Sequence, residues 1–392
     1  MKQIDSTVNL NGDHLIINSQ LVLDFKQKVQ NCSSSQLVSD IIDTLKQQKD
    51  LRTLVIDLYN KKIQDENASK LFLGISECPN LTNLTLKLEY NKLGYISNDF
   101  YVALSKLQSV SNLNLNLGSN YVGENGIPLL GSNLALLKNL KILTLNLDCN
   151  NIGQIGASRL GSALINFNNL TSLFLSLYSN NIGNNGVFAL CSYISDIEKI
   201  ENLELCFGTN NILIKGAQDL FDCLANSKKL KSLAVDLGGN KISGKSNFTQ
   251  SLCHLTFLKS LSLNIWGCDI GIQGGNLLAS SLSKCKALAA LSLDISFNHI
   301  NAQSIIDINQ ALIDNCKISS LSLKTSFADI GQEGLKNLSS SIKNNKSLHQ
   351  LTIEFNGHYM GSEANQLLKR KILKMQRLVK FVDKCAPVII QL

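Results

Sequence analysis

The chain has 392 residues, 44% hydrophobic and 17% charged, so it can bury a large core and is neither a disordered chain nor a coiled coil. Its formal charge of +7 is local: from residue 365 onward Lys369, Arg370, Lys371, Lys374, Arg377, Lys380 and Lys384 face only Asp383, which leaves +1 for residues 1–364. A nearly neutral body gives no reason to expect nucleic acid as a partner.

Taken from the N-terminus, Met1 to Phe25 carries Asp5, Asp13 and Asp24 within its apolar stretch. It lacks the basic-then-apolar pattern of a signal peptide, and the chain has no 18-residue apolar run, so a soluble, cytoplasmic protein is expected. Leu21, Leu23 and Phe25 read as a strand, and Ile41 and Leu45 as the buried positions of a helix. Residues 1–50 are therefore expected to form an N-terminal cap built on a degenerate repeat.

A strong period begins at residue 51. Leu54, Leu84, Leu113, Leu143, Leu173, Leu203, Leu233, Leu261, Leu291, Leu321 and Leu351 each open an LxLxL segment or a close variant, at spacings of 30, 29, 30, 30, 30, 30, 28, 30, 30 and 30. Within residues 140–164 the alternation of Leu143, Leu145 and Leu147 predicts a strand with one buried face, and Leu160 and Leu164, four apart, predict a short amphipathic helix. A lone strand–turn–helix unit cannot cover its apolar face. Eleven such units over residues 51–377 are expected to stack into one parallel sheet and one row of helices.

Seven residues after the strand leucine stand Asn91, Asn120, Asn150, Asn180, Asn210, Asn240 and Asn298, with Cys268 in the same register. A short amide both donates and accepts, which suits turn backbone buried between neighbouring units. Lys61, Ala328 and His358 hold that register elsewhere, so the ladder weakens at both ends. The following N-x-I-G-x-x-G, as at Asn150, Ile152, Gly153 and Gly156, is read as a tight bend with close helix packing. A phosphate cradle is the lesser reading, since the motif recurs along the array and no P-loop Lys-Ser/Thr follows.

These units resemble the ribonuclease-inhibitor type of leucine-rich repeat. The resemblance implies an α/β solenoid, a horseshoe with an inner parallel β-sheet and outer helices, and a concave sheet that grips a partner. The chain departs from that pattern in having LxLxLxxN where LxLxxN is usual, so the strand alternation is expected to run one step further. After Leu351 the helix positions fall on Leu368 and Ile372, and Phe381 lies 30 residues on, so 378–392 reads as a truncated repeat and tail.

With the leucines inward, the alternate residues face the concave side, and they are mostly small and polar. Phe174, Tyr178 and Trp266 are the aromatic exceptions and the candidate binding anchors; packing against sheet neighbours is the alternative reading. Asp148, Asp236 and Asp294 form a mildly acidic stripe suited to a basic partner, or else an ordinary solvated face. The basic segment around Lys369, Arg370, Lys371, Lys374 and Arg377 is read as a solvated cap helix, with contact to acidic lipid or nucleic acid as the alternative.

No G-x-S-x-G elbow or kinase motif set occurs. The five histidines, with His254 placed at a helix core position, have no metal spacing, and eleven dispersed cysteines suggest reduced, mostly buried thiols. The expectation is a non-catalytic protein-binding scaffold with no cofactor, no metal and no small-molecule substrate. Two alternatives rest on resemblance: a regulator of the GTPase-activating kind, for which Arg52 and Arg159 are the only arginines before residue 365, or the recognition arm of a signalling system.

Overall fold

The computed structural model describes residues 15–17, 19–25, 33–48, 50–94, 99–244, 247–314, 317–325, 337, 340, 345–354, 380–383 and 388–391. The basic segment from Lys369 to Arg377 lies outside the described residues, as do the register positions Ala328 and His358. The chain divides into two compact units, Met1–Asn181 and Ile182–Leu392.

In the first unit a short antiparallel pair, β1 (Leu15–Ile17) and β2 (Gln20–Asp24), opens the sheet. Five strands then add in parallel and in sequence order: β3 (Thr53–Asp57), β4 (Asn83–Lys87), β5 (Asn112–Asn116), β6 (Ile142–Asn146) and β7 (Ser172–Ser176). Equivalent leucines stand in register, Leu113 beside Leu143 and Leu143 beside Leu173, because a one-residue slip would turn every leucine to the other face. The crossovers carry α1 (Ser34–Lys46), α2 (Asp65–Ser76), α3 (Asp99–Leu104), α4 (Gly123–Leu134) and α5 (Gly153–Leu164). Helix α1 starts where the Ser33 hydroxyl accepts the Gln36 N–H, a side-chain cap for an otherwise unpaired amide.

The extra alternation has a definite structure. Each regular strand has five residues, yet the third leucine, Leu147, is fully buried, and its N–H still donates to Ser176 O at 2.9 Å. The rungs Leu143, Leu145 and Leu147 are buried, and so are Leu160 and Leu164 of α5. Each such leucine contributes about 1.5–3 kcal/mol on leaving water.

The second unit repeats the plan with α6 (Gly183–Ser195), β8 (Asn202–Cys206), α7 (Ile214–Leu224), β9 (Ser232–Asp236), β10 (Ser260–Asn264), α8 (Gly271–Lys284), β11 (Ala290–Asp294), α9 (Ala302–Asp314), β12 (Ser320–Lys324) and β13 (Gln350–Glu354). Strands β8 to β13 pair in parallel in sequence order. β14 (Lys380–Asp383) joins β13 in parallel and closes antiparallel against β15 (Val388–Gln391).

One crossover differs. Between β9 and β10, where the leucine spacing falls to 28, a 3₁₀ turn at Gln250–His254 replaces the α-helix. Phe248, Leu252, Leu255 and Leu258 fill the space, with Phe248 against Phe221 at 6.2 Å between centroids. This corrects the placement of His254, which is exposed: the tighter 3₁₀ winding turns it off the stripe that an α-helix would bury.

Candidate functional site: the strand face and the turns beside it

The turn asparagines are structural. Asn180 is buried; its Nδ2 donates to Leu147 O at 2.9 Å, and its Oδ1 accepts the N–H groups of Asn150 at 2.9 Å and Ile152 at 3.2 Å. Asn120 does the same for Leu88, Asn91 and Leu93, and Asn240 for Phe207, Asn210 and Ile212. Each amide thus completes the turn of the preceding coil. Cys268 substitutes its thiol, which donates to Leu237 O at 3.0 Å, and burial pushes that thiol up to about 12.

The residues flanking these asparagines adopt left-handed backbone, as Cys149 (φ 54°) and Asn151 (φ 54°) do around Asn150. Gly153 follows at φ 66° with open space where a side chain would stand, so conformation requires glycine there. Gly156 is glycine for the other reason: a Cβ would lie 2.6 Å from Ile152 Cγ2. The Gly153 amide donates to Asn180 O at 2.9 Å and is therefore spent on the next coil rather than turned to an anion.

A second row lies on the strand face, three residues after each strand leucine. There Asp57, Asn116 and Asn146 in the first unit, and Asp236, Asn264 and Asp294 in the second, each accept with Oδ1 from the backbone N–H two residues ahead, at 2.8–3.2 Å. This is an Asx turn repeated coil after coil. Asn performs it as well as Asp, so the charge at Asp57, Asp236 and Asp294 is not a demand of the fold. Asp57, almost wholly buried, is paired with Lys87 at 3.2 Å; Asp294 stands 3.9 Å from Lys324. Asp148, two residues further along, accepts the Ser176 hydroxyl at 2.5 Å and the Tyr178 N–H at 2.8 Å. Partial burial pushes the carboxyl of Glu204, on β8, above its ordinary value.

Of the aromatic candidates, Phe174 is half-buried beside Thr144, while Tyr178 and Trp266 are 46% and 45% exposed. Phe174, Tyr178 and Asp148 belong to the first unit; Trp266, Asp236 and Asp294 belong to the second. Within the second unit, register sets Asp236 and Asp294 on the two sides of Asn264, and Trp266 two residues beyond it.

Two aromatic pairs escaped the sequence reading. Tyr59 and Tyr90 meet edge to face at 5.3 Å in the first unit, and Trp266 and Phe297 at 5.4 Å in the second. Tyr90 (φ 59°) and Phe297 (φ 58°) occupy the left-handed position that Cys149, Ser179 or Gly239 fills in other coils, an unfavourable place for a bulky residue. Both are exposed. Asp57, Tyr59, Lys87, Glu89 and Asn116 line a depression of about 500 Å³. The signal in the sequence was an aromatic residue six positions after a strand leucine, one step beyond the projected face.

Elsewhere, Arg159 lies on α5 with its guanidinium 3.8 Å from the Glu124 carboxylate. Among the described residues no three His, Cys, Asp or Glu side chains gather as a metal site would need, and the described cysteines are unbridged, Cys149 exposed and Cys191 buried. No helix among the described residues is long and apolar enough to cross a membrane.

Thirty-residue coils of strand, asparagine turn and helix define a leucine-rich-repeat solenoid architecture. No family model matches the chain, and no curated protein matches it. Solved structures similar to the chain include the following two. The leucine-rich repeat-containing protein LegL7 from Legionella pneumophila shares 14% identity over 90% of this chain and 97% of its own, with a TM-score of 0.47. A TLR13–ssRNA13 complex shares 16% identity over 92% of this chain, which spans 61% of the TLR13 chain, with a TM-score of 0.35.

Proposed function

We propose that the chain is a non-catalytic scaffold that holds a partner protein on its strand face and the adjoining turns, in a cytoplasmic setting. One observation carries this reading: large aromatic rings stand exposed on a face of small polar residues, two of them at backbone positions that disfavour them. Aromatic anchors of this kind supply most of the affinity in protein interfaces. In the first unit Phe174 and Tyr178 are the proposed anchors with Asp148 as a polar contact, and in the second unit Trp266 is the proposed anchor with Asp236 and Asp294 as polar contacts. The division into a cap over 1–50, eleven repeats over 51–377 and a truncated repeat over 378–392 belongs to the same reading, supported by antiparallel pairing at β1–β2 and β14–β15.

The test is crosslinking and mass spectrometry in the source cell, with wild type beside Tyr178→Ala and Trp266→Ala. A defined protein should crosslink to wild type and lose at least about 1.4 kcal/mol, tenfold in affinity, with either variant. An identical set of crosslinks from all three proteins would overturn the reading.

A further inference from the structure

Within the scaffold reading, on which this rests, we propose that Trp266, Phe297, Asp236 and Asp294 form a seat for an arginine side chain carried on an extended, basic segment of the partner.

Asp236 and Asp294 are the Cα partners of Asn264 on its two sides, so the carboxylates flank it at one strand spacing each, about 4.8 Å. Trp266 lies two residues beyond Asn264, in the turn that follows the strand, with its indole exposed and its Cζ3 4.0 Å from where a Cβ on Gly239 would stand. Phe297 meets one side of the ring edge to face and holds it upright. The surroundings are cut away. A Cβ at Gly238 would stand 3.1 Å from Asp236 Oδ1 and 3.4 Å from Asn264 Nδ2, so glycine there leaves both head groups open. On the other side the register row Ala234, Ser262 and Ser292 is small, a shallow path across the strands wide enough for an extended backbone.

The charge decides the occupant. Asp236 has no ion pair among the described residues; Asp294 accepts the Ser296 N–H with Oδ1 and pairs loosely through Oδ2 with Lys324 at 3.9 Å, a cation shared with Glu354 at 3.8 Å. Asn264 makes the same turn without a charge, so the turn itself requires neither flanking carboxylate to be ionised. A guanidinium is the cation that fits, because its plane stacks on an indole while its edge donates to a carboxylate. An ammonium does one or the other, and a nucleic acid backbone is repelled.

Trp266 is the single tryptophan of the chain, so its emission reports on the seat directly. The full chain is titrated with a synthetic nonapeptide alternating arginine and glycine, with the lysine–glycine peptide and a uridine oligonucleotide in parallel. The expected result is a saturable change in emission with the arginine peptide, about fivefold weaker with lysine. Asp236→Asn combined with Asp294→Asn should weaken arginine binding by about tenfold while the melting curve stays in place, since Asn keeps the turn. No saturable change, equal affinity for the two peptides, indifference to the double substitution, or a response to the oligonucleotide would each overturn the proposal. A scaffold that still crosslinks a protein through Tyr178 would survive that failure, which separates the two readings.

Discussion

Two rows of short polar side chains cross the coils, and they obey different rules. The turn row, Asn150 and Asn180 among others, is buried between coils, and in the described coils after Lys61 it is Asn with one Cys. The strand-end row, Asn146 and Asp236 among others, lies on the strand face and is mixed, with Asn or Asp at its Asx turns and Lys87, Ser176, Cys206 or Lys324 in other coils. In the buried row the side chain must donate and accept at once, and an ionised carboxylate would lose both its donors and its hydration. In the outer row only one acceptor is needed, so charge is left free for other purposes.

The sharpest way to break that contrast is Asn180→Ala. It strands the amides of Asn150 and Ile152 and leaves Leu147 O with the Asn150 Nδ2 alone of its two side-chain donors, and should cost about 2–4 kcal/mol in chemical denaturation. A loss below about 1 kcal/mol would mean that water replaces the amide and the row is not a structural necessity.

The cysteine exception comes next. With its thiol pushed by burial from an ordinary value of 9.0 up to about 12 in the folded chain, Cys268 binds its proton more tightly folded than unfolded. Its contribution is therefore complete below pH 9 and is lost as pH rises toward 12, at up to about 1.4 kcal/mol per pH unit. Cys191 and Cys285, also raised by burial, act in the same direction, so the readout is the difference between wild type and Cys268→Asn. The variant should lose stability less steeply with pH; parallel slopes would refute this account of Cys268.

Smaller effects are expected in the outer row. Asn146→Ala removes one exposed turn bond to the Asp148 N–H and should cost about 1 kcal/mol. Asn146→Asp, which keeps the acceptor, should stay within about 0.5 kcal/mol of wild type in the same assay. A large penalty for the acid would erase the difference between the rows.

The buried half of this architecture was legible because it is periodic. Leucines at intervals of thirty and asparagines seven residues later can only coincide if coils stack, and register follows from that. The outer half was legible only in part, since its constraints are local: Asx turns accept either of two residues, and the aromatic pairs fall one position past the strand alternation. The 28-residue interval coincides with the irregular crossover at Gln250–His254, but spacing alone does not show that the helix there is 3₁₀ or that His254 leaves the core, because helix type is decided by packing.

The turn bonds also have a direction. Asn180 finishes the turn around Asn150, and Asn150 in its own coil donates back to Leu117 O at 2.9 Å, so every coil waits for a side chain made thirty residues later. On the ribosome a coil is thus left open until its successor has emerged. Trimming from the C-terminal side exposes unsatisfied donors inside a turn, whereas trimming from the N-terminal side frees only an asparagine amide that water can serve.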